Sequence, residues 1–289
     1  MGCNSTCAYC IVPSTRGREV SRPLGELVAE AERLAGDGVR EITLLGQNVN
    51  AYGRDLRPAP VTFAELLAAI DGVQGIARLR YTSPHPKDMR EDVIRAHAEL
   101  PAVCEHIHLP LQAGSSRILK AMRRTYTRER YLDRVALIRE HVPDVALTTD
   151  IIVGFPGETE ADFRETLEVV EEVRYDSAFT FIYSPRRGTE AAELPDQVPD
   201  EVKHERLERL VDIVQRIAAE RNAERVGRVE QVLVEGASRT DRALMRGRTR
   251  RNTTVNFTGQ AMPGELVDVL VEGATSTTLR GRVAAAVAA

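Results

Sequence analysis

The sequence lacks several features that would assign it to a particular class of protein. It contains no apolar run of about 18 residues, which excludes a membrane-spanning helix. It also shows no basic and then apolar leader at its amino terminus, so we expect a cytoplasmic protein with no membrane contact. Only four cysteines occur in 289 residues, which argues against a disulfide scaffold.

Lysine is also scarce, since all but three of the 39 basic residues are arginine. Because this bias runs through the whole chain, we attribute it to genome composition rather than to anion recognition. The charge that is present is divided unevenly: residues 224–289 carry a net charge of +3, and residues 1–223 a net charge of −7. A basic tail behind an acidic body suggests contact between the tail and an anion such as nucleic acid, although a net charge of +3 is by itself ordinary for a segment of this length.

Short apolar segments alternate with amphipathic ones through the first two thirds of the chain. The segments rich in β-branched and aromatic residues predict strands at 41–45, 78–82, 105–109, 146–153 and 178–183. Three- and four-residue apolar spacing predicts helices at 24–35, 63–70, 90–100, 117–122, 128–141 and 160–173. This alternation predicts a parallel α/β sheet, either open or closed into a barrel.

The pattern changes after residue 183. A long helix is predicted from residue 200 to about residue 226, and five short strands with turn residues between them follow in about 60 residues. Such a series predicts a small β-barrel of the oligonucleotide-binding type. We therefore expect two domains, residues 1–223 and residues 224–289.

The strongest chemical signal is the segment CNSTCAYC at residues 3–10, which places Cys3, Cys7 and Cys10 on one loop. Three such thiolates suit a four-iron cluster in which one iron has no protein ligand. Zinc is the alternative, but it needs a fourth ligand, and distant histidines would have to supply it. The candidates for that ligand are His85, His106 and His108. The remaining cysteine, Cys104, is predicted to be a small buried core residue.

These residues carry a resemblance to a known family. The three-cysteine loop resembles that of radical S-adenosylmethionine enzymes, and residues 2–23 resemble their methylthiotransferase branch. The segment LLGQNVNAYG at residues 44–53 is similar to MiaB-like tRNA methylthiotransferases, whereas the branch that acts on a ribosomal protein usually has QDTT in place of QNVN. Further matches are TSPHP (82–86), HLPLQAGSS (108–116), MRRTY (122–126) and TDIIVGFPGET (149–159). Segments 236–241 and 247–257 resemble the RNA-binding TRAM domain.

The resemblance implies both a fold and a reaction. The fold is an incomplete parallel (β/α)6-type radical SAM barrel without its first strand, followed by a small all-β TRAM barrel. The reaction is the conversion of N6-isopentenyladenosine beside a tRNA anticodon to its 2-methylthio derivative. Cys3, Cys7 and Cys10 would hold a [4Fe–4S] cluster, and S-adenosyl-L-methionine would bind to the open iron.

Other site residues follow from the resemblance and from their places at strand ends. We expect no catalytic side chain, and cofactor contacts from Tyr9, Gly46, Gln47, Ser83 and Gln112. For the last four, a purely structural role in a loop is the alternative.

The tail is the predicted RNA-binding region. We expect RNA contacts from Arg246, Arg248, Arg250 and Arg251, with a solvated face on an arginine-rich protein as the alternative. Phe257 could stack on a base or fill the core of the small barrel.

The chain also departs from the family it resembles. Nothing in it corresponds to the amino-terminal domain whose three cysteines hold a second cluster, the route by which sulfur arrives. We interpret the chain as the catalytic and RNA-binding portion of such an enzyme, through truncation, a misassigned start or a split gene, and in the last case a separate chain would supply that domain. We also expect a flavodoxin- or ferredoxin-like electron donor and no complete product from this chain alone. Two alternatives stay open: another substrate, such as threonylcarbamoyl-adenosine in tRNA or a ribosomal protein, and a non-catalytic RNA-binding iron–sulfur fragment.

Overall fold

The computed structural model describes residues 1–284, which form two packed units. The first unit alternates helices with parallel strands. Its strands are β1 (Glu41–Leu44), β2 (Arg78–Tyr81), β3 (His106–His108), β4 (Ala146–Val153) and β5 (Ser177–Ile182). Its helices are α1 (Val12–Arg16), α2 (Leu24–Gly36), α3 (Phe63–Asp71), α4 (Glu91–Glu99), α5 (Ser116–Ala121), α6 (Arg128–His141), α7 (Glu160–Val173) and α8 (Asp200–Ala223). Within residues 1–284, no helix is both long enough and apolar enough to cross a membrane.

All five strands run parallel, which confirms the predicted incomplete α/β barrel. β1 pairs with β2, β3 and β5 pair with β4, and a single parallel bridge between Leu79 and Val103 joins the two groups. Within the described residues, β1 has no second neighbour, so one of its edges is free. An open pocket of about 540 Å³ lies beside β1, lined in part by apolar side chains of α2 and β1.

Local sequence explains where the helices begin. Thr62 caps α3 by accepting a hydrogen bond from the backbone of Glu65, whose side chain accepts one in return. Thr159 and Asp162 form the same reciprocal cap on α7. The helices bury their apolar faces against one side of the sheet, where Leu79 and Leu147 are fully buried.

The second unit is a closed barrel of five short strands, as predicted. These are β6 (Val229–Ala237), β7 (Met245–Thr249), β8 (Thr254–Thr258), β9 (Leu266–Ala274) and β10 (Thr278–Val283), in the spatial order β10-β8-β7-β6-β9. A Cβ at Gly247 would lie 2.3 Å from the carbonyl oxygen of Leu233, so this crossing requires glycine. Phe257 is completely buried in the barrel core, the second of its two predicted roles.

The small barrel docks at the amino-terminal end of the parallel strands. Arg78, the first residue of β2, is completely buried and donates to the carbonyl oxygens of Arg248 (2.6 Å) and Gln231 (2.8 Å). Arg80 donates to the carbonyl oxygens of Thr249 and Arg250, each at 2.7 Å. The carboxyl end of the strands, where the predicted site lies, is therefore the opposite end of the sheet.

Candidate functional site

The three-cysteine loop lies at the carboxyl end of the strands, held by backbone hydrogen bonds from three directions. The N–H of Cys3 donates to the carbonyl of Gly17 (3.1 Å), and the N–H of Ala8 donates to that of Met122 (3.0 Å). The carbonyl of Ala8 accepts from the N–H of Ala191 (2.9 Å). Segments far apart in the chain thus fix the loop before any ligand binds.

Gly2 permits the close approach at the start of this loop. It has a φ of +76°, and a Cβ there would lie only 2.0 Å from the carbonyl oxygen of Arg18. Any other residue would both strain the backbone and collide with residues 17–18. The identity of this residue is therefore set by the packing of the loop.

All three loop thiols are free and half-buried. Arg124 donates from Nη1 to the Sγ of Cys7 at 3.3 Å, so a permanent cation lies beside a sulfur that would carry negative charge as a metal ligand. Burial raises the pKa of the Cys10 thiol, and iron binding there would release a proton. Cys104 is free but fully buried in the core, as predicted.

The donor set of this loop suits an iron–sulfur cluster. Three free, half-buried thiols on one loop are the ligands that a four-iron cluster with one open iron requires. Across residues 1–284, no three His, Cys, Asp or Glu side chains are grouped closely enough to hold a single ion.

The histidines proposed for a zinc site have other partners. His85 is buried, its Nδ1 accepts from the N–H of Lys87 (3.2 Å), and burial lowers its pKa to about 2. His106 and His108 both contact the hydroxyl of Thr148 at 3.0 Å. The zinc alternative therefore has no assembled ligand set in the described part of the chain.

The residues predicted to contact the cofactor lie on the cysteine loop or just after the carboxyl ends of strands. Tyr9 packs edge-on against Phe155, with ring centroids 6.3 Å apart. Gly46 and Gln47 follow β1 and line the open pocket beside it. Ser83, which follows β2, has a φ of +57° and accepts a hydrogen bond from the N–H of Val49 (3.3 Å).

Gln112 lies close to β4 on the same side of the molecule. Its φ is +69°, its N–H donates to the carbonyl of Asp150 (2.9 Å), and its own carbonyl accepts from Ile152 (2.9 Å). Left-handed backbone at both Gln112 and Ser83 is unusual for residues with a side chain and often occurs at ligand sites.

The face of the β3–β5 sheet opposite the helices is open and carries a histidine–aspartate contact and two exposed phenylalanines. His108 Nε2 lies 3.3 Å from a carboxylate oxygen of Asp150. Beside them Phe179 is 60% exposed and Phe181 47% exposed, although the chain's four other phenylalanines are buried. These side chains form a mixed aromatic and polar surface on the open face of the sheet.

The arginines predicted to bind RNA are occupied within the protein. Arg246 and Arg248 both pair with Glu235 on β6, at 3.2 and 3.1 Å. Arg250 pairs with Glu105, just before β3, at 2.8 Å, and Arg251 pairs with Asp144, just before β4. Arg250 and Arg251 thus join the two units at the end of the sheet opposite the cysteines.

Sequence reasoning missed two groups of side chains. Arg124 belongs to the MRRTY segment, which matched the resembled family but suggested no role for the arginine. Arg78 and Arg80 are two charges on one face of a predicted strand, a pattern that could have indicated a polar contact on that face.

Family models match both units of the chain. Residues 1–170 match the Radical SAM superfamily, and residues 223–284 match the TRAM domain. The first match covers more than half of the chain.

Curated relatives are similar along almost the whole chain. Proteins named tRNA-2-methylthio-N(6)-dimethylallyladenosine synthase are 55% identical over 97% of this chain in Clostridium botulinum and 52% identical over 98% in Thermoanaerobacter sp.. The matched region is 62% and 60% of those proteins, so the chain spans about three fifths of their length.

Solved structures share the fold. The radical S-adenosylmethionine methyltransferase TsrM from Kitasatospora setae superposes with a TM-score of 0.54 at 20% identity, covering 66% of this chain and 37% of TsrM. Coproporphyrinogen III oxidase (HemN) from Escherichia coli superposes with a TM-score of 0.51 at 15% identity, covering 75% of this chain and 51% of HemN. With its parallel sheet, its loop of three free thiols and its match over residues 1–170, the chain belongs to the radical SAM superfamily.

Proposed function

We propose that this chain is the catalytic and RNA-binding portion of an enzyme that converts N6-isopentenyladenosine beside a tRNA anticodon to its 2-methylthio derivative. The observation that carries the proposal is the 55% identity over 97% of the chain to a protein named for that reaction, which extends through both units. The cysteine loop and the match to the TRAM domain lie in separate units, as a division between chemistry and RNA binding requires.

We assign the chemistry to residues 1–223 and RNA binding to residues 224–289. The division at residue 223 coincides with the end of α8, after which the chain enters β6. The ion pairs between the units, such as the one that joins Arg250 to Glu105, would hold the two parts in a fixed relation while RNA is bound.

Membership of the superfamily implies a [4Fe–4S] cluster and S-adenosylmethionine. Cys3, Cys7 and Cys10 would hold the cluster, and Arg124 would offset the negative charge of the thiolate at Cys7. When bound, the cluster supplies the electron that cleaves S-adenosylmethionine and so starts hydrogen abstraction from the substrate.

The residues around the loop would position and shield the reactants. Gly46, Gln47, Ser83 and Gln112 lie where loops leave the carboxyl ends of parallel strands, and we propose that they contact S-adenosylmethionine. Tyr9 and Phe155 would exclude water from one side of the loop through their edge-on packing. The open face that carries Phe179 and Phe181 would receive the substrate base.

Two partners complete the proposal. A flavodoxin- or ferredoxin-like protein would donate electrons, and a domain with three further cysteines, either on the same protein or on a separate chain, would supply sulfur. When a reductant is present but the sulfur-supplying domain is not, we expect slow release of 5′-deoxyadenosine without methylthiolated tRNA.

The cluster is tested by anaerobic reconstitution with iron and sulfide. We expect about four irons per chain in the wild type, and loss of bound iron in Cys3→Ala, Cys7→Ala and Cys10→Ala. Cys104→Ala is the matched control, because this buried thiol lies in the core and should leave iron content unchanged. Zinc as the sole metal after strictly anaerobic reconstitution would contradict the proposed cluster.

The substrate is tested by mass spectrometry of nucleosides from tRNA incubated with the chain, reductant and S-adenosylmethionine. With the sulfur-supplying domain added as a separate chain, isopentenylated tRNA should yield the methylthio derivative. Methylthiolation of threonylcarbamoyl-adenosine tRNA instead would contradict the proposed isopentenyladenosine substrate. Full product without the added domain would contradict the proposal that a further domain supplies the sulfur.

A further inference from the structure

Four exposed arginines flank the cysteine loop on its two sides. Arg16 ends α1 and Arg18 follows it, just after the loop itself. Arg186 and Arg187 lie on the connection that follows β5. We call these four residues the arginine collar.

The backbone that carries the collar is fixed to the loop. The carbonyl of Gly17, between Arg16 and Arg18, accepts from the N–H of Cys3 (3.1 Å). The carbonyl of Arg186 accepts from both the N–H (3.1 Å) and the hydroxyl (2.7 Å) of Thr189. Two residues further on, the N–H of Ala191 donates to Ala8 in the loop (2.9 Å). The four side chains are therefore attached to preformed backbone at both flanks of the thiols.

The collar is not neutralised by acidic side chains. Within residues 1–284, none of its four arginines forms an ion pair or a side-chain hydrogen bond. Glu19, the acid adjacent to Arg18, accepts instead from the side chain of Asn4 (3.2 Å). Glu190 pairs with Arg123 (2.5 Å), outside the collar. Unpaired exposed guanidinium groups can bind phosphate without first breaking an internal contact.

On the basis of the proposed function, we propose that the collar binds the phosphate backbone of the RNA substrate on both sides of the nucleotide that enters the site. Among the arginines predicted from the tail, Arg250 and Arg251 are committed to Glu105 and Asp144. A phosphate would have to displace a carboxylate to reach either of them, whereas it can reach the collar arginines without displacing one.

The position of the collar favours RNA over an acidic redox protein. Both flanks contact the thiol loop through backbone hydrogen bonds, so a nucleotide that reacts there would bring its neighbouring phosphates close to the collar. An electron donor needs only a path for electrons and does not have to reach the carboxyl end of the strands, where the cysteine loop lies. Charge alone would allow both partners, so the experiment includes both.

The test measures binding of an anticodon stem–loop RNA by fluorescence anisotropy over a range of salt concentrations. The variants are Arg16→Ala/Arg18→Ala, Arg186→Ala/Arg187→Ala and the combination of all four. We expect each pair to weaken binding about tenfold at low salt. The fourfold variant should reduce the slope of log K against log salt by about 3, since each phosphate contact contributes roughly 0.7 to 0.9 to that slope.

A matched control and a rescue separate this role from general loss of charge. Arg95→Ala/Arg164→Ala removes two exposed arginines that pair with glutamates of their own helices, and should leave RNA affinity within about twofold of wild type. Substituting the four collar residues by Lys should restore most of the salt-dependent affinity. Circular dichroism and iron content confirm that each variant is folded.

Each outcome decides between the proposals. Wild-type protein that fails to bind the stem–loop would overturn both the proposed function and the collar. Wild-type binding that the fourfold variant retains in full would overturn the collar and leave the function standing. A variant that binds RNA normally but is reduced more slowly by flavodoxin would assign the collar to the electron donor instead.

Discussion

The two ends of the parallel sheet use arginine in opposite ways. At the amino end, Arg78 and Arg80 are buried and donate to backbone carbonyls of the small barrel, while Arg250 pairs with a carboxylate. At the carboxyl end, collar residues such as Arg18 and Arg187 lie exposed beside the cysteine loop. One end joins the two units, and the other is free to bind a ligand.

The difference shows that arginine content alone does not locate an RNA-binding surface. A buried guanidinium must find hydrogen-bond acceptors within the protein, as the two terminal nitrogens of Arg78 do. Arg78 retains its charge at neutral pH although burial lowers its pKa to about 10. An exposed guanidinium is satisfied by water and can exchange water for phosphate at little cost. Burial and partners, rather than residue type, divide these arginines into two classes.

The largest effect is expected from removing a buried arginine at the amino end. Arg78→Met should lower the free energy of unfolding by about 3–5 kcal/mol, because the carbonyls of Arg248 and Gln231 lose the donor that the buried guanidinium supplies. Urea unfolding followed by circular dichroism measures this loss. Arg95→Met, at an exposed site on α4, serves as the control and should change stability by less than about 0.5 kcal/mol. Equal effects of the two substitutions would contradict the division into buried and exposed classes.

A second effect tests whether the fold holds the buried imidazole of His97, on α4, in its neutral form. Burial lowers the pKa of His97 to about 4, and its ring lies between the hydroxyl of Tyr81 (2.7 Å) and the carbonyl of Cys104 (2.8 Å). The unfolded chain takes up a proton near pH 6.5, before the folded chain does, so the stabilisation is present above that pH. It should be lost as the pH falls from about 6.5 to 4, by on the order of 3 kcal/mol for this residue.

The measurement is the free energy of unfolding as a function of pH for the wild type and for His97→Gln. The glutamine variant has no ring to protonate, so its stability should fall less steeply between pH 6.5 and 4. Parallel curves for the two proteins would show that His97 is not the titrating group.

The smallest effect concerns the half-buried ion pair between the units. Burial opposes ionisation of Glu105, but hydrogen bonds and charge from Arg250 outweigh it and lower the pKa of the carboxyl group overall. A double-mutant cycle with Glu105→Gln and Arg250→Ala should give a coupling free energy of about 1–2 kcal/mol. A coupling within error of zero would mean that this pair does not hold the small barrel in place, which leaves the buried arginines and the pair of Arg251 with Asp144.

Much of the fold was predictable because it depends on local patterns. The bounds of α6, α7 and β4 match the predicted ones. A threonine caps each of the two helices, apolar residues recur at helical spacing along α7, and β4 is rich in Ile, Val and Thr, so local sequence defines these elements. The helix α1, by contrast, was not predicted, because five residues are too few to show a period.

The candidate site likewise has parts that local sequence determined and parts that it did not. The sequence by itself determined the three-cysteine loop, because the spacing of Cys3, Cys7 and Cys10 along one short segment is local information. Only the tertiary structure decided that Arg124 lies against Cys7 and that Arg250 pairs with Glu105, 145 residues away in the chain. Such partners are chosen by which ends of the strands meet, and the charge pattern of one segment cannot distinguish an arginine that will bind phosphate from one that the fold will bury.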